Sequence, residues 1–337
     1  MVVSAGPSRP KNLRISFHHI RRPQPLVPLN LQQQKGSTIQ PKSIERRQQT
    51  MKSARHATEC INEAKQAGLP SLDAELLMLF ALKRQLTDRA WLKMCGTEPI
   101  DENSSSFYHA LCSRRINGEP LAYITGERGF YGLNLKVDAR VLDPRPDTET
   151  LVDWALDILQ NIRAPQVADL GTGSGAIALA LQHQRPDAKV LAVDASADAL
   201  AVAQANAQRL KLPVHFALGF WLSPLADAAP PEGLHLIASN PPYIAENDPH
   251  MAALHHEPRQ ALTSGSDGLN DIRHIVNNAP THLRPGGWLL LEHGYNQTQA
   301  VQALLWDRGF SAVQSRNDLA GIARCTGGIW SAAPNAG

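Results

Sequence analysis

Val167-Ala168-Asp169-Leu170-Gly171-Thr172-Gly173-Ser174-Gly175 is a short apolar run that ends in three glycines set two apart. Such a run, bounded by glycine, reads as a buried strand over 167–171 passing into a tight turn. Glycine at these positions lets the chain turn sharply and lets a ligand approach the main chain closely. A helix opening near Ser174 directs its unpaired N–H groups at the loop and favours an anion there. No Lys-Ser/Thr pair follows, which excludes a phosphate-cradling P-loop. The loop alone is compatible with a nucleoside cofactor, with a flavin or nicotinamide, or with a turn that is purely structural.

The neighbouring pattern narrows the fold. Val190-Leu191-Ala192-Val193-Asp194 is a second apolar run ending in an acid. An acid at the end of this strand can accept hydrogen bonds from both hydroxyls of a ribose; the plainer reading is a surface acid capping the next helix. Further strands are expected at 213–218, 234–239 and 287–292, and helices at 148–162, 174–184, 196–210, 268–283 and 296–308. Two late strand-like segments, near 311–316 and 322–330, would close one edge. Alternating strand and helix dictates a mostly parallel sheet covered on both faces, an α/β Rossmann-like domain over 146–332.

Asn240-Pro241-Pro242-Tyr243 follows the apolar run Leu234–Ser239. An amide nitrogen is a poor nucleophile because its lone pair is delocalised into the carbonyl, so a site that alkylates it must hold the NH2 group firmly. The Asn240 side-chain oxygen and the Pro241 carbonyl could each accept one N–H. Pro242 fixes the turn and carries no N–H of its own, and the Tyr243 ring could pack against a flat amide. An Asn-Pro turn ending a strand is common. Downstream of the glycine loop and Asp194, this one points to methyl transfer onto an amide or amine nitrogen, with S-adenosylmethionine as donor and its carboxylate at the loop. Asn240, Pro241 and Tyr243 are then the candidate catalytic residues, and Asn240, Pro241, Pro242 and Tyr243 the substrate-binding set.

The rest of the chain bounds the class. The 337 residues are 43% hydrophobic and 19% charged, ordinary for a globular protein with room for two domains. No apolar run approaches the ~20 residues that cross a bilayer. Cys60, Cys95, Cys112 and Cys325 form no C-x-x-C pair, which argues for a reducing compartment and against a structural zinc site. His250, His255 and His256 lack the carboxylate or thiol spacing of a metal centre, so no metal is expected. Glu292-His293-Gly294, at a strand end near the cleft, reads as structural support, since methyl transfer to nitrogen needs no strong base before attack.

Residues 1–50 hold nine of the 33 Lys/Arg residues and one of the 31 acids. That leaves 24 basic against 30 acidic residues, a body near −6 behind a tail near +8. The body is a poor electrostatic partner for duplex DNA. The Pro-, Gln- and Arg-rich tail reads as disordered. It is explained by a start called too early, since Met51 opens the first helical pattern, by a basic arm, or by a transit segment. The cytoplasm is the expected location, and the mitochondrion if the tail is a transit segment. Residues 51–120 read as a small helical domain, with Ala57, Cys60, Ile61 and Ala64 at helical spacing, Ser71 as an N-cap, and a helix over Asn103–Ile116. Residues 121–145, with Ile124, Phe130, Tyr131, Leu133, Leu135 and Val137 among glycines, read as a β-hairpin hinge.

The chain resembles the release factor glutamine methyltransferases from about Met51 to Trp330. The likeness is carried by Gly118–Gly126, Pro144-Arg145-Pro146-Asp147-Thr148-Glu149, Asp169–Ala176, Asn240–Ile244, Leu290-Leu291-Glu292-His293-Gly294 and Asp318-Leu319-Ala320-Gly321. The resemblance implies a helical domain joined to a seven-stranded methyltransferase domain, and methylation of the glutamine in the Gly-Gly-Gln motif of peptide chain release factors. It implies S-adenosyl-L-methionine held by the backbone of Gly171, Thr172, Gly173, Ser174 and Gly175, with Asp194 on the ribose, Trp221 at the adenine and Asn240 beside both ligands. Many relatives carry an acid just before that Trp, where this chain has Phe220. A sister enzyme acting on a glutamine of a large-subunit ribosomal protein, a DNA adenine methyltransferase and a non-catalytic scaffold are the rival readings. A monomer is expected.

Overall fold

Ala57, Cys60, Ile61 and Ala64 line one side of α1 (Ala57–Gln66) and are all buried. They pack on Leu77 and Met78 of α2 (Ser71–Ala81) and on Tyr108 and Leu111 of α4 (Glu102–Ile116). The computed structural model describes residues 55–331, so the expectations for the basic tail lie outside the described residues. Asp101 caps α4 by accepting from Ser104 N at 2.8 Å. Ser71 is not the cap of α2. Pro70 holds that position, and Ser71 is the first helical residue. A helix α3 (Arg89–Cys95) was not anticipated, because Leu92 is its one buried residue and a single contact leaves no periodicity to read.

Residues 121–125, expected to begin the hairpin, instead form a short helix α5 (Leu121–Thr125) stopped by Gly126 at φ 73°. Its Ile124 joins the core of the helical domain. The hairpin proper pairs β1 (Glu127–Phe130) with β2 (Leu133–Lys136) around a Tyr131-Gly132 turn, both residues at positive φ. It is fastened to the following domain: the Tyr131 hydroxyl donates to Asp153 at 2.6 Å and the Tyr131 N–H to Glu149 at 2.8 Å.

The seven-stranded sheet runs β5-β4-β3-β6-β7-β9-β8, with β3 Gln166–Leu170, β4 Lys189–Asp194, β5 His215–Leu218, β6 Leu234–Ser239, β7 Leu283–Glu292, β8 Phe310–Asn317 and β9 Ala323–Trp330. The first five are parallel to one another, and β9 pairs antiparallel with both β7 and β8. Successive residues point to opposite faces. Val167 and Leu290 pack with α6 (Glu149–Leu159) and α7 (Ala176–Gln184) on one side. Ala168, Leu170, Leu289 and Leu291 pack with α10 (Asn270–Asn278) and α11 (Thr298–Arg308) on the other. Burial on both faces is why these strands read as continuous apolar runs. α8 (Ala197–Leu210) follows β4, and a short α9 (Leu225–Ala228) precedes β6. The chain enters the sheet at β3, builds outward through β4 and β5, then returns to lay β6 against the other side of β3. That reversal opens a crevice at the carboxyl ends of β3 and β6, where open α/β sheets bind ligands.

Candidate active site

Gly171, Gly173 and Gly175 sit at φ 71°, 56° and 86°, backbone that L side chains rarely adopt. The Gly171 and Thr172 N–H groups both donate to Val193 O, at 2.8 and 2.9 Å, tying the loop to the end of β4. The Gly173 N–H donates to Asp194 Oδ2 at 2.8 Å, and the Ser196 N–H to Asp194 Oδ1 at 2.9 Å. The cap of α8 is Ser196, whose side chain accepts from Ala199 N. Asp194 therefore does not serve as the helix cap; it lines the crevice instead.

Thr172 and Ser174 are buried, and they and Gly175, unlike Gly171 and Gly173, are not among the residues that line the cleft. The Thr172 hydroxyl donates to Asp169 Oδ2 at 2.7 Å, and the Ala178 N–H to the same oxygen at 3.0 Å. Asp169 is wholly buried with Oδ1 unpartnered, and burial pushes its pKa to about 7. Asn206 of α8 donates to Ser174 O and Lys136 O and accepts from Lys136 N, linking the glycine loop to the hairpin. Neither support is evident from the sequence: Asp169 reads as the end of a strand and Asn206 as a polar residue on a helix.

The crevice encloses about 220 Å³ between Gly171, Gly173 and Asp194 on one side and Asn240, Pro242 and Gln260 on the other. Trp221, itself at φ 48°, lays its ring across Gly171 so closely that a Cβ there would sit 3.0 Å from it. Its indole N–H donates to Asp271 Oδ1 at 2.9 Å, and Asp271 Oδ2 accepts from the Ser264 hydroxyl at 2.6 Å. Phe220 is 55% exposed, edge-on to Trp221 at 5.8 Å and to His274 at 5.3 Å. Trp221 is thus locked by its polar edge and presents an apolar face to the cleft, with Phe220 extending that wall.

Asn240 leaves the carboxyl end of β6 beside the glycine loop, since Ser239 pairs with Leu170 and also donates its hydroxyl to Leu170 O at 2.7 Å. The Asn240 amide donates through Nδ2 to the Thr148 hydroxyl at 3.2 Å. Among the described residues, neither Asn240 Oδ1 nor the Pro241 carbonyl has a hydrogen-bond partner. Two acceptors therefore stand unused at this turn, whose Asn240 and Pro242 line the cleft while Pro241 and Tyr243 do not. The turn is held from behind: the Tyr243 carbonyl accepts from Gln297 Nε2 at 3.0 Å, and Ile244 exchanges main-chain bonds with Leu262 and Ser264. Burial foremost, then the charge of Glu292, raises the Tyr243 hydroxyl pKa, so the phenol stays neutral.

Glu292 ends β7 behind this turn, 1% exposed, with Oε2 unpartnered. His293 is fixed by Gly294 O at 2.9 Å and the Thr326 hydroxyl at 2.7 Å, and burial lowers its pKa. It lies outside the cleft lining and serves as a structural link between β7 and β9. His255 and His256 stack on each other at 4.0 Å, and His256 Nε2 lies 3.2 Å from Asn117 O, joining the 249–258 segment to the end of α4. Among the described residues no group of His, Cys, Asp and Glu could hold a metal, and no helix is long and apolar enough to cross a membrane.

Residues 54–126 match the PrmC N-terminal domain and residues 152–268 the methyltransferase small domain. A release factor glutamine methyltransferase of Burkholderia pseudomallei is 46% identical over 271 residues, covering 77% of this chain and 92% of the relative. One of Bordetella pertussis is 47% identical over 264 residues, covering 77% and 95%. Among solved structures, the hMettl16 catalytic domain superposes with a TM-score of 0.50 at 14% identity, over 70% of this chain and 85% of that one, a likeness of fold alone.

Proposed function

Because the chain belongs to the release factor glutamine methyltransferase family, we propose that it methylates the side-chain amide nitrogen of the glutamine in the Gly-Gly-Gln motif of a peptide chain release factor, with S-adenosylmethionine as donor. The observation that carries this reading is the pair of unpartnered acceptors, Asn240 Oδ1 and the Pro241 carbonyl, at a turn adjacent to the glycine loop. A primary carboxamide offers two N–H groups in one plane, and two fixed acceptors match it.

The residues present fit the donor. A Cβ on Gly173 would meet nothing within 4 Å, so the loop leaves open space for a ligand against its backbone. The N-terminus of α7 beyond it favours the ligand's carboxylate. The backbone of Gly171, Thr172, Gly173, Ser174 and Gly175 would hold the methionine portion, Asp194 the ribose hydroxyls, and the Trp221 face the adenine. When bound, S-adenosylmethionine supplies an electrophilic methyl carbon.

The protein's task is then to present the nitrogen. Asn240 Oδ1 and the Pro241 carbonyl each take one N–H and fix the NH2 plane. Those N–H groups become more acidic as the nitrogen gives up electron density, so both hydrogen bonds strengthen toward the transition state. Pro242 adds no competing donor. Orientation of this kind can contribute ~7–11 kcal/mol, and no residue need remove a proton before attack. The helical domain of residues 54–126 is the proposed contact for the release factor.

A labelled-methyl assay checks the substrate class. Label is expected in the release factor and not in a large-subunit ribosomal protein or duplex DNA. Preferential labelling of the ribosomal protein, or of DNA, would replace this reading with the corresponding rival.

A further inference from the structure

Leu319, Ile322 and Tyr295 are apolar side chains that the fold leaves in water, Leu319 fully exposed, Tyr295 69% and Ile322 40%. Single exposed apolar residues are ordinary on a protein surface. These three share one edge of the sheet. Ser239, Leu291 and Thr326 form a row across β6, β7 and β9. One residue farther along, Asn240 leaves β6, and Glu292 pairs with Cys325. Tyr295 follows Glu292 by three residues and Ile322 precedes Cys325 by three, so both leave the sheet at the end where Asn240 does.

The two loops that carry these side chains are fastened, and both brace the Asn240 turn. Between β8 and β9, Asp318 Oδ1 accepts from the Ala320 and Ile322 N–H groups, each at 2.9 Å, and the Asp318 N–H donates to Ile322 O at 2.8 Å. Asp318 Oδ2 accepts from Arg324 Nε at 2.9 Å, and Arg324 lies 3.6 Å from Asp147, the neighbour of the Thr148 whose hydroxyl meets Asn240. After β7, Gln297 accepts from the Gly294 N–H at 2.8 Å and donates to the Tyr243 carbonyl at 3.0 Å. Leu319 is therefore held out in solvent by a loop that is itself fixed, and covering it would cost little ordering.

We propose that Leu319, Ile322 and Tyr295 form a docking rim for the stretch of release factor chain that flanks the substrate glutamine. The inference rests on the reading of Asn240 as the amide clamp. Only two methylenes separate a glutamine carboxamide from its main chain, so a carboxamide held at Asn240 brings the flanking chain to the mouth of the cleft. Two strand spacings of ~4.8 Å set the rim ~10 Å to the side of Asn240, and three residues at ~3.3 Å each set it ~10 Å outward. An extended chain covers the resulting ~14 Å in about four residues. The charges beneath the rim, Asp318, Arg324 and Asp147, are paired with one another, which leaves apolar surface to offer. The occupant is accordingly an apolar side chain of the release factor, about four residues from the glutamine.

Steady-state kinetics with release factor as the varied substrate test the rim. Leu319→Ala and Tyr295→Ala are each expected to raise KM for release factor about fivefold to tenfold, from the apolar area withdrawn. The kcat at saturating release factor, and cofactor affinity by calorimetry, should stay within about twofold. Leu319 is fully exposed, so its replacement removes no packing. Trp306→Ala, which alters an exposed aromatic near the far end of α11, should leave KM unchanged. In a second measurement Leu319 is replaced by p-benzoylphenylalanine, and the irradiated mixture with release factor is digested and sequenced by mass spectrometry. Crosslinks are expected within about five residues of the Gly-Gly-Gln glutamine. An unchanged KM in both rim variants, an equal rise in Trp306→Ala, or crosslinks confined to a distant part of the release factor or to a second copy of this chain overturns the proposal. A wild-type chain that fails to methylate release factor, or an Asn240→Ala variant of undiminished rate, sinks the clamp reading instead.

Discussion

Asn240→Ala is expected to lower kcat for methyl transfer by about 10²–10³-fold, the usual consequence of deleting one preorganised polar contact to a transition state. The alanine removes Oδ1 and leaves the Pro241 carbonyl as the one acceptor at the turn, so the substrate NH2 can rotate about a single hydrogen bond. It also leaves the Thr148 hydroxyl without its 3.2 Å partner. The glycine loop is untouched, because its bonds run to Val193, Asp194 and Asp169. Cofactor affinity measured by calorimetry should therefore stay near the wild-type value. A variant that turned over normally would show that the carboxamide is held elsewhere.

Asp194→Ala should give the opposite pattern. The carboxylate accepts the Gly173 and Ser196 N–H groups at 2.8 and 2.9 Å and is proposed to take the ribose hydroxyls as well. Hydrogen bonds to a charged acceptor contribute roughly 1.5–3 kcal/mol each, so the dissociation constant for S-adenosylmethionine should rise about 10- to 100-fold or more. At saturating cofactor kcat should recover to within a few-fold, since Asp194 does not hold the transferred group's acceptor. Isothermal titration with steady-state kinetics separates the two variants. Unchanged cofactor affinity in Asp194→Ala would move the ribose away from this acid.

The positions of the strands along the chain and the two turns that build the cleft were legible because the parallel strands are buried on both faces and stand out as apolar runs between glycine-rich turns. Boundaries were less so. The helix expected over 268–283 ends at Asn278, with Pro280 in the 3₁₀ turn that follows, and that proline was a visible stop signal. β7 begins at Leu283, four residues before the expected start, because Arg284-Pro285-Gly286-Gly287 looks like a loop. α5 is five residues long, too short for period to separate helix from strand.

At the site, Gly171, Gly173, Asp194, Trp221, Asn240 and Pro242 come together at one cleft. The supports were hidden. Thr148 falls in a stretch that resemblance alone marks, and nothing in its spacing says that it meets Asn240. The bond between Trp221 and Asp271 likewise joins residues from β5's outgoing loop and α10. Folding creates such convergences, and a linear pattern does not carry them.

On the proposed mechanism the turn at Asn240 presents a glutamine side-chain nitrogen to the methyl donor. Tandem mass spectrometry of a release factor incubated with this protein and S-adenosylmethionine locates the transferred group. One added methyl group on the side-chain nitrogen of the Gly-Gly-Gln glutamine is the predicted result. A methyl group on a lysine, an arginine or the main chain, or none at all beside a cofactor that binds normally, would contradict it.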